Sequence, residues 1–187
     1  NPVVSGLLSG LIGGVLGMLI AENLKNPDKL SIDITQTASE IEQQLRVNSG
    51  VWVAIFAAVL GAVIMAWDGI TSGSGEKALR DGAVGLGVGA AAGFVGGYVA
   101  QWVYSELLPD DPVSPDAENA VLLARVIGWA VFGGLLGAGM GIRGGGKRII
   151  HGLIGGLIGG AVGGVIFEQV SSDRGSAFTN RLLGLTA

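Results

Sequence analysis

Long uncharged stretches alternate with short polar ones along the chain. Residues 2–21, 51–67 and 82–104 carry no charge, residues 120–142 carry only Arg125, and residues 149–167 carry only His151. A helix rises 1.5 Å per residue, so about 20 such residues cross roughly 30 Å of hydrocarbon. The pattern predicts five membrane-crossing helices, over about 3–22, 51–70, 82–104, 120–142 and 149–168, in one membrane domain covering residues 1–187. Arg181-Leu-Leu-Gly184-Leu echoes Arg125-Val-Ile-Gly128-Trp, the opening of the fourth span, and predicts a truncated sixth span from 181. No basic segment precedes the first apolar run, so the opening does not read as a signal peptide. The chain reads as part of something longer.

The polar connections differ. In the first, Ile34, Ala38, Ile41 and Leu45 share one helix face, and Thr37–Glu40 and Ser39–Glu42 both have capping-box spacing. A short amphipathic helix over about 35–47 is expected, either interfacial or packed as a cap on the bundle's own end. The second connection carries Lys77 and Arg80, with Asp68 within reach of either. The third holds Glu106, Asp110, Asp111, Asp116 and Glu118 and no base. The fourth reads RGGGKR. Cytoplasmic loops are enriched in Lys and Arg. The two basic turns fall on one side, which sets the N-terminus in the cytoplasm. Arg143, Lys147 and Arg148 are also candidates for holding an anionic lipid headgroup.

Composition sharpens this reading. Glycine supplies 35 of 187 residues, against a usual share of roughly 7%, and charged residues are only 14%. Disorder needs the opposite balance, and five prolines cannot support a collagen repeat. With no cysteine there is no disulfide framework. The expectation is an all-α polytopic bundle.

Internal repetition organises the glycines. Residues 5–22 lie over residues 151–168 with 10 identities in 18 positions, ending on Glu22 and Glu168. Gly61, Ala66, Gly69 and Ile70 match Gly133, Ala138, Gly141 and Ile142, and GEKALRDG (75–82) lies over GGKRIIHG (145–152). The unit is a helical hairpin, span–basic turn–glycine span, used twice in parallel copies. Glycines four apart share a helix face. The rows Gly6, Gly10, Gly14; Gly85, Gly89, Gly93, Gly97; Gly133, Gly137, Gly141; and Gly152, Gly156, Gly160, Gly164 are therefore side-chain-free grooves that another helix can approach closely. On this basis the odd-numbered spans form the packed interior. The second span, rich in large apolar residues, is expected to face lipid more than these, with Trp52 and Trp67 near the interfaces.

Reactive chemistry is sparse. One histidine, no cysteine and no paired acids within a span point away from an enzyme and from any metal or cofactor. His151 reads as interfacial or as a proton relay. Arg125 reads as paired with Glu118, snorkelling, or lining an ion path. Glu22 and Glu168 read as solvated helix ends or as a ring at a pore mouth. GLGVGAAAG (85–93) has the alternate glycines of ATP-synthase rotor rings, but the carboxylate such rings need at mid-membrane is missing. GGGKR lacks the Gly-Lys-Ser/Thr of a phosphate loop.

The stretch GGGKRIIHGLIGGLIGGAVGGVIFEQV resembles the glycine-rich (glycine-zipper-like) multi-span regions of bacterial membrane proteins, some of which carry zinc-ribbon or forkhead-associated domains elsewhere. The resemblance implies a bacterial cytoplasmic membrane protein. It does not carry over phosphopeptide binding, because no signalling domain lies in this chain. Two functional readings follow. One is a non-enzymatic structural or assembly subunit, packing through its glycine grooves within itself and against partner membrane helices or further copies. The alternative is an oligomeric channel or pore. The lipid bilayer is the common partner, and nucleic acid is not expected.

Overall fold

A computed structural model describes residues 2–25, 36–107 and 117–172. The predicted sixth span from 181 and most of the acidic connection lie outside the described residues. The fold is an all-α bundle of five helices: α1 (Pro2–Leu24), α2 (Ala38–Thr71), α3 (Gly75–Leu107), α4 (Ala117–Gly141) and α5 (Gly146–Ser172), with a 3-10 turn at Ile142–Gly144 before α5. All five are long and apolar enough to cross a membrane. The chain is therefore a multi-pass integral membrane protein, its helices in contact with lipid.

The expected amphipathic helix over 35–47 is not separate. It is the first part of α2, which runs unbroken through Asn48-Ser49-Gly50 into the second span. Gly50 does not break the helix because it lies against α3, where an added Cβ would be 3.1 Å from the Phe94 carbonyl oxygen. Of the two candidate capping boxes, the chain uses the first. Thr37 Oγ1 accepts from the Glu40 N–H at 3.4 Å, and the Thr37 N–H donates to Glu40 Oε2 at 2.8 Å. Thr37→Ala is expected to cost about 1 kcal/mol, seen as faster amide exchange over residues 38–41. Hydrogen bonds from the Thr37 backbone, then from its hydroxyl, hold the Glu40 carboxyl below its ordinary value. A carboxylate with a lowered folded pKa contributes above its unfolded pKa and loses that contribution as pH falls through the folded one. Acidification is thus expected to fray this end of α2, and Thr37→Ala to flatten the dependence.

α2 ends in a Schellman turn. The Ser74 N–H donates to the Gly69 carbonyl at 2.8 Å and the Gly73 N–H to the Ile70 carbonyl at 3.2 Å. Gly73 takes φ +71°, which glycine adopts without Cβ strain. Gly145, before α5, also has positive φ, +81°, but with ψ 177° and a single bond from its N–H to the Ile142 carbonyl.

Neighbouring helices run antiparallel in chain order. α1 sets Gly13 by Leu60 and Gly17 by Phe56 of α2. α3 sets Gly85, Gly89, Gly93 and Gly97 by Gly61, Ala57, Val53 and Ser49. α3 also sets Gly96 and Ala100 by Phe132 and Gly128 of α4, and α5 sets Gly152, Gly156 and Gly160 by Gly137, Gly133 and Trp129. The α2–α3 and α4–α5 hairpins are the closest pairs, and α1 and α5 stand at the two ends of the series.

Where the core sits differs from the expectation that odd-numbered spans form the interior. α2, flanked by α1 and α3, supplies Trp52, Phe56 and Ala57 to the core, joined by Met18, Phe132 and Leu136. On α5, Gly164 is the one buried position among residues 146–166. Glycine rows let backbones approach, but volume between helices is filled by large side chains, and α2 carries them. Trp52 stacks on Phe56 at 6.1 Å between ring centroids, Phe56 meets Phe132 at 6.2 Å, and Trp129 meets Phe132 edge-on at 5.8 Å. These rings join the two hairpins.

Candidate helix-packing surfaces and polar sites

Among the predicted grooves, the row on α3 lies against α2 along its whole length. A Cβ on Gly85 or Gly89 would collide with the carbonyl oxygens of Gly61 and Ala57 respectively. On Gly93 and Gly97 it would fall 2.6 Å and 2.8 Å from those of Val53 and Ser49. On α5, Gly152, Gly156 and Gly160 meet the carbonyls of Gly137, Gly133 and Trp129, and Gly164 would carry a Cβ 3.1 Å from Val126 Cα. From the α4 side, Gly133 and Gly137 face Gly156 and Gly152, and Gly141 faces the Arg148 carbonyl. Such approaches bring backbone dipoles and Cα–H groups together, which in lipid replaces the missing hydrophobic driving force.

The row on α1 is a correction. Gly6 and Gly10 have nothing within 4 Å of an added Cβ, while Gly13 and Gly17 carry the contact with α2. Gly14 is buried. The buried face of α1 is the small-residue row Ser9, Gly13, Gly17 and Ala21, four apart, flanked by Gly14 and Met18. A row of small residues rather than of glycines alone would have found it. The second row on α5, Gly155, Gly159 and Gly163, also faces nothing within 4 Å.

The contacts refine the repeat. The pair Gly61–Gly85 in the first hairpin answers to Gly133–Gly156 in the second, and Ala57–Gly89 answers to Trp129–Gly160. The glycine helices therefore superpose with Gly85 on Gly156. Laying GEKALRDG over GGKRIIHG puts Gly82 on Gly152, one residue out of step, because the second turn is a residue shorter.

The polar residues are dispersed. Asp68 pairs with Lys77 at 3.1 Å, and Arg80 pairs with Asp81 at 3.2 Å instead. The first pair is exposed, so Lys77→Ala is expected to change stability by less than about 1 kcal/mol in a thermal melt. Asp81, buried apart from 8% of its surface, was missed in the sequence because it stands at a span boundary. It shares a recess with Asp68, Ser5 and Ser9. His151, Lys147 and Arg148 are exposed at the start of α5, and Glu22 is half-buried at the end of α1. The side chains of Arg143, Glu118 and Glu168 lie outside the described residues. Arg125 lines a cavity between α2, α3 and α4. No group of three or more His, Cys, Asp or Glu side chains able to hold a metal occurs among the described residues.

No family model matches the chain, and no curated protein or solved structure is similar to it.

Proposed function

We propose that the chain is a non-enzymatic assembly subunit of the bacterial cytoplasmic membrane. Its glycine grooves pack within itself and against helices of partner proteins or of further copies. Its N-terminus and both basic turns lie in the cytoplasm, where RGGGKR is available to anionic headgroups. One observation carries the reading. In α3, the face bearing Val88 and Gly96 holds α4 through Gly139 and Phe132. By the hairpin correspondence, Val88 answers to Gly159 of α5, and Gly159 and Gly163 lie open. Among the described residues no helix fills the corresponding seat on α5, where Gly159 and Gly163 border a recess walled by Phe56, Leu60 and Ile64 of α2. At the other end of the series, Gly6 and Gly10 of α1 are equally bare. Open glycine costs helix stability, about 1 kcal/mol each relative to alanine in water, so a packing partner is what makes these positions worth keeping.

The test is a double variant, Gly159→Leu with Gly163→Leu, whose Cβ atoms meet no described residue within 4 Å and whose longer branches have the recess beside Phe56 and Leu60 to occupy. The wild-type chain is expected to migrate in native gels of gently solubilised membranes as a larger assembly. The variant is expected to run as a monomer with an unchanged thermal melt. A monomeric wild type, or robust ion conductance from the purified chain in liposomes, would overturn the reading in favour of no assembly role or of a pore.

A further inference from the structure

Resting on the assembly role proposed above, we infer that the open face of α5 is the seat for α1 of a second copy of this chain. Among the described residues, α5 is the least covered helix. Its apolar stretch is 6% buried, against 28–33% in the other four. Gly155, Gly159 and Gly163 have nothing within 4 Å of an added Cβ. Beside Gly159 and Gly163, Phe56, Leu60 and Ile64 of α2 and Leu136 and Met140 of α4 wall an apolar recess of about 310 Å³. That is roughly twice the 150 Å³ left by truncating one core leucine, so the recess has room for two leucine-sized branches.

The occupant follows from a contact the chain already makes. Residues 5–22 lie over residues 151–168, so Gly13 and Gly17 of α1 answer to Gly159 and Gly163 of α5. On α1 this pair holds Leu60 and Phe56 of α2, with Leu60 Cδ1 and Phe56 Cδ2 each 3.1 Å from an added Cβ. The glycine pair is thus a seat for large apolar side chains four apart, filled on α1 and open on α5. A helix that fills it needs an exposed ridge of such side chains. α1 carries one on its outer side, where Leu8, Ile12, Leu16 and Ile20 stand four apart and 40–46% exposed. Within one chain α1 and α5 stand at opposite ends of the helix series, so the ridge has to come from another copy. The depths agree. Gly17 lies by Phe56, Phe56 meets Phe132, and the next residue, Gly133, lies against Gly156. The directions agree too, because α1 and α5 cross the membrane the same way and so meet between copies inserted alike. A contact of α5 with itself would set glycine against glycine and bring no side chain to the recess. An α5–α1 contact is heterologous, so it closes a ring or runs on as a row of copies.

Cysteine is absent from the chain, so introduced thiols report the contact directly. Copies carrying Ile20→Cys and differently tagged copies carrying Val162→Cys, beside the open row, are co-expressed, and their membranes are oxidised with copper phenanthroline. A disulfide-linked dimer holding both tags is expected, severalfold above the yield when Leu79→Cys, at a position 79% exposed, replaces Val162→Cys. Gly159→Leu with Gly163→Leu in the Val162→Cys copy is expected to remove that dimer. Ile12→Ala with Leu16→Ala in the other copy is expected to lower its yield severalfold at an unchanged thermal melt, which separates loss of the ridge from loss of fold. A dimer formed as readily by Val162→Cys copies alone would assign α5 to itself and overturn the inference. A larger assembly in native gels with no mixed dimer would give the seat to another protein or to the remainder of this chain, overturning the inference while the assembly role stands. A monomer would overturn both.

Discussion

Gly89→Ala is expected to destabilise the α2–α3 hairpin, and Gly87→Ala, two residues away on the same helix, to stabilise it. Both changes gain the same intrinsic term, about 1 kcal/mol in favour of alanine. They differ in what the new methyl group meets. At Gly87 there is nothing within 4 Å. At Gly89 it would collide with the Ala57 carbonyl oxygen and lie 2.7 Å from its carbon and 3.0 Å from Ala58 Cα. All of these are backbone atoms, which cannot rotate aside as a side chain can. The helices must separate, and the contacts of Gly85 and Gly93 stretch with them. Overpacking costs about 1–3 kcal/mol in well-packed cores, so alanine is expected to be net destabilising at Gly89. Leucine there is expected to exceed that range and break the hairpin. Reversible unfolding in mixed micelles measures the difference. The second hairpin provides a replicate, since Gly160 faces the Trp129 carbonyl and an added Cβ on Gly159 has nothing within 4 Å. Equal effects at Gly87 and Gly89 would remove the close approach as the reason for the glycine.

The same contrast marks what could be read from the amino-acid sequence. Five helices were legible because a lipid-crossing helix leaves a local signature of length and absent charge, as in 82–104. The Thr37–Glu40 cap was legible for a similar reason, since both partners lie within one turn. The phase of each glycine helix was not. α5 carries two rows one residue apart, and only the position of α4 decides that Gly156 is covered and Gly155 open. On α1 the eye follows Gly6, Gly10 and Gly14, yet the neighbour selects Ser9, Gly13 and Gly17, because serine is nearly as small as glycine. The share of α2 in the interior was missed. A large apolar side chain satisfies lipid and protein interior alike, so Trp52 and Phe56 carry no mark of which they face. Nor was the cavity at Arg125 legible, because it arises where three helices separated in sequence diverge.

Phe56→Ala is expected to have the largest effect of any single truncation. Phe56 is 2% exposed and among the largest fully buried side chains. It stacks on Trp52, meets Phe132 of the second hairpin, and its Cδ2 would lie 3.1 Å from a Cβ on Gly17 of α1. One ring therefore touches three helices, and its removal opens a void at the point where α1, α2 and α4 come together. Phe→Ala in soluble cores costs about 3–5 kcal/mol. Part of that is transfer from water, which a membrane interior does not supply, so the loss here is of dispersion contacts and cavity volume. A cost of about 2–3 kcal/mol is the corresponding expectation. Because the void is shared, α1 is expected to loosen with it, with amide exchange rising around Gly13 and Gly17 while the α4–α5 hairpin keeps its protection. Ile158→Ala, at a position 61% exposed on α5, is the matched control and is expected to change the unfolding midpoint hardly at all. If both truncations lowered the midpoint alike, burial by α1 and α4 would not be what holds α2 in the bundle.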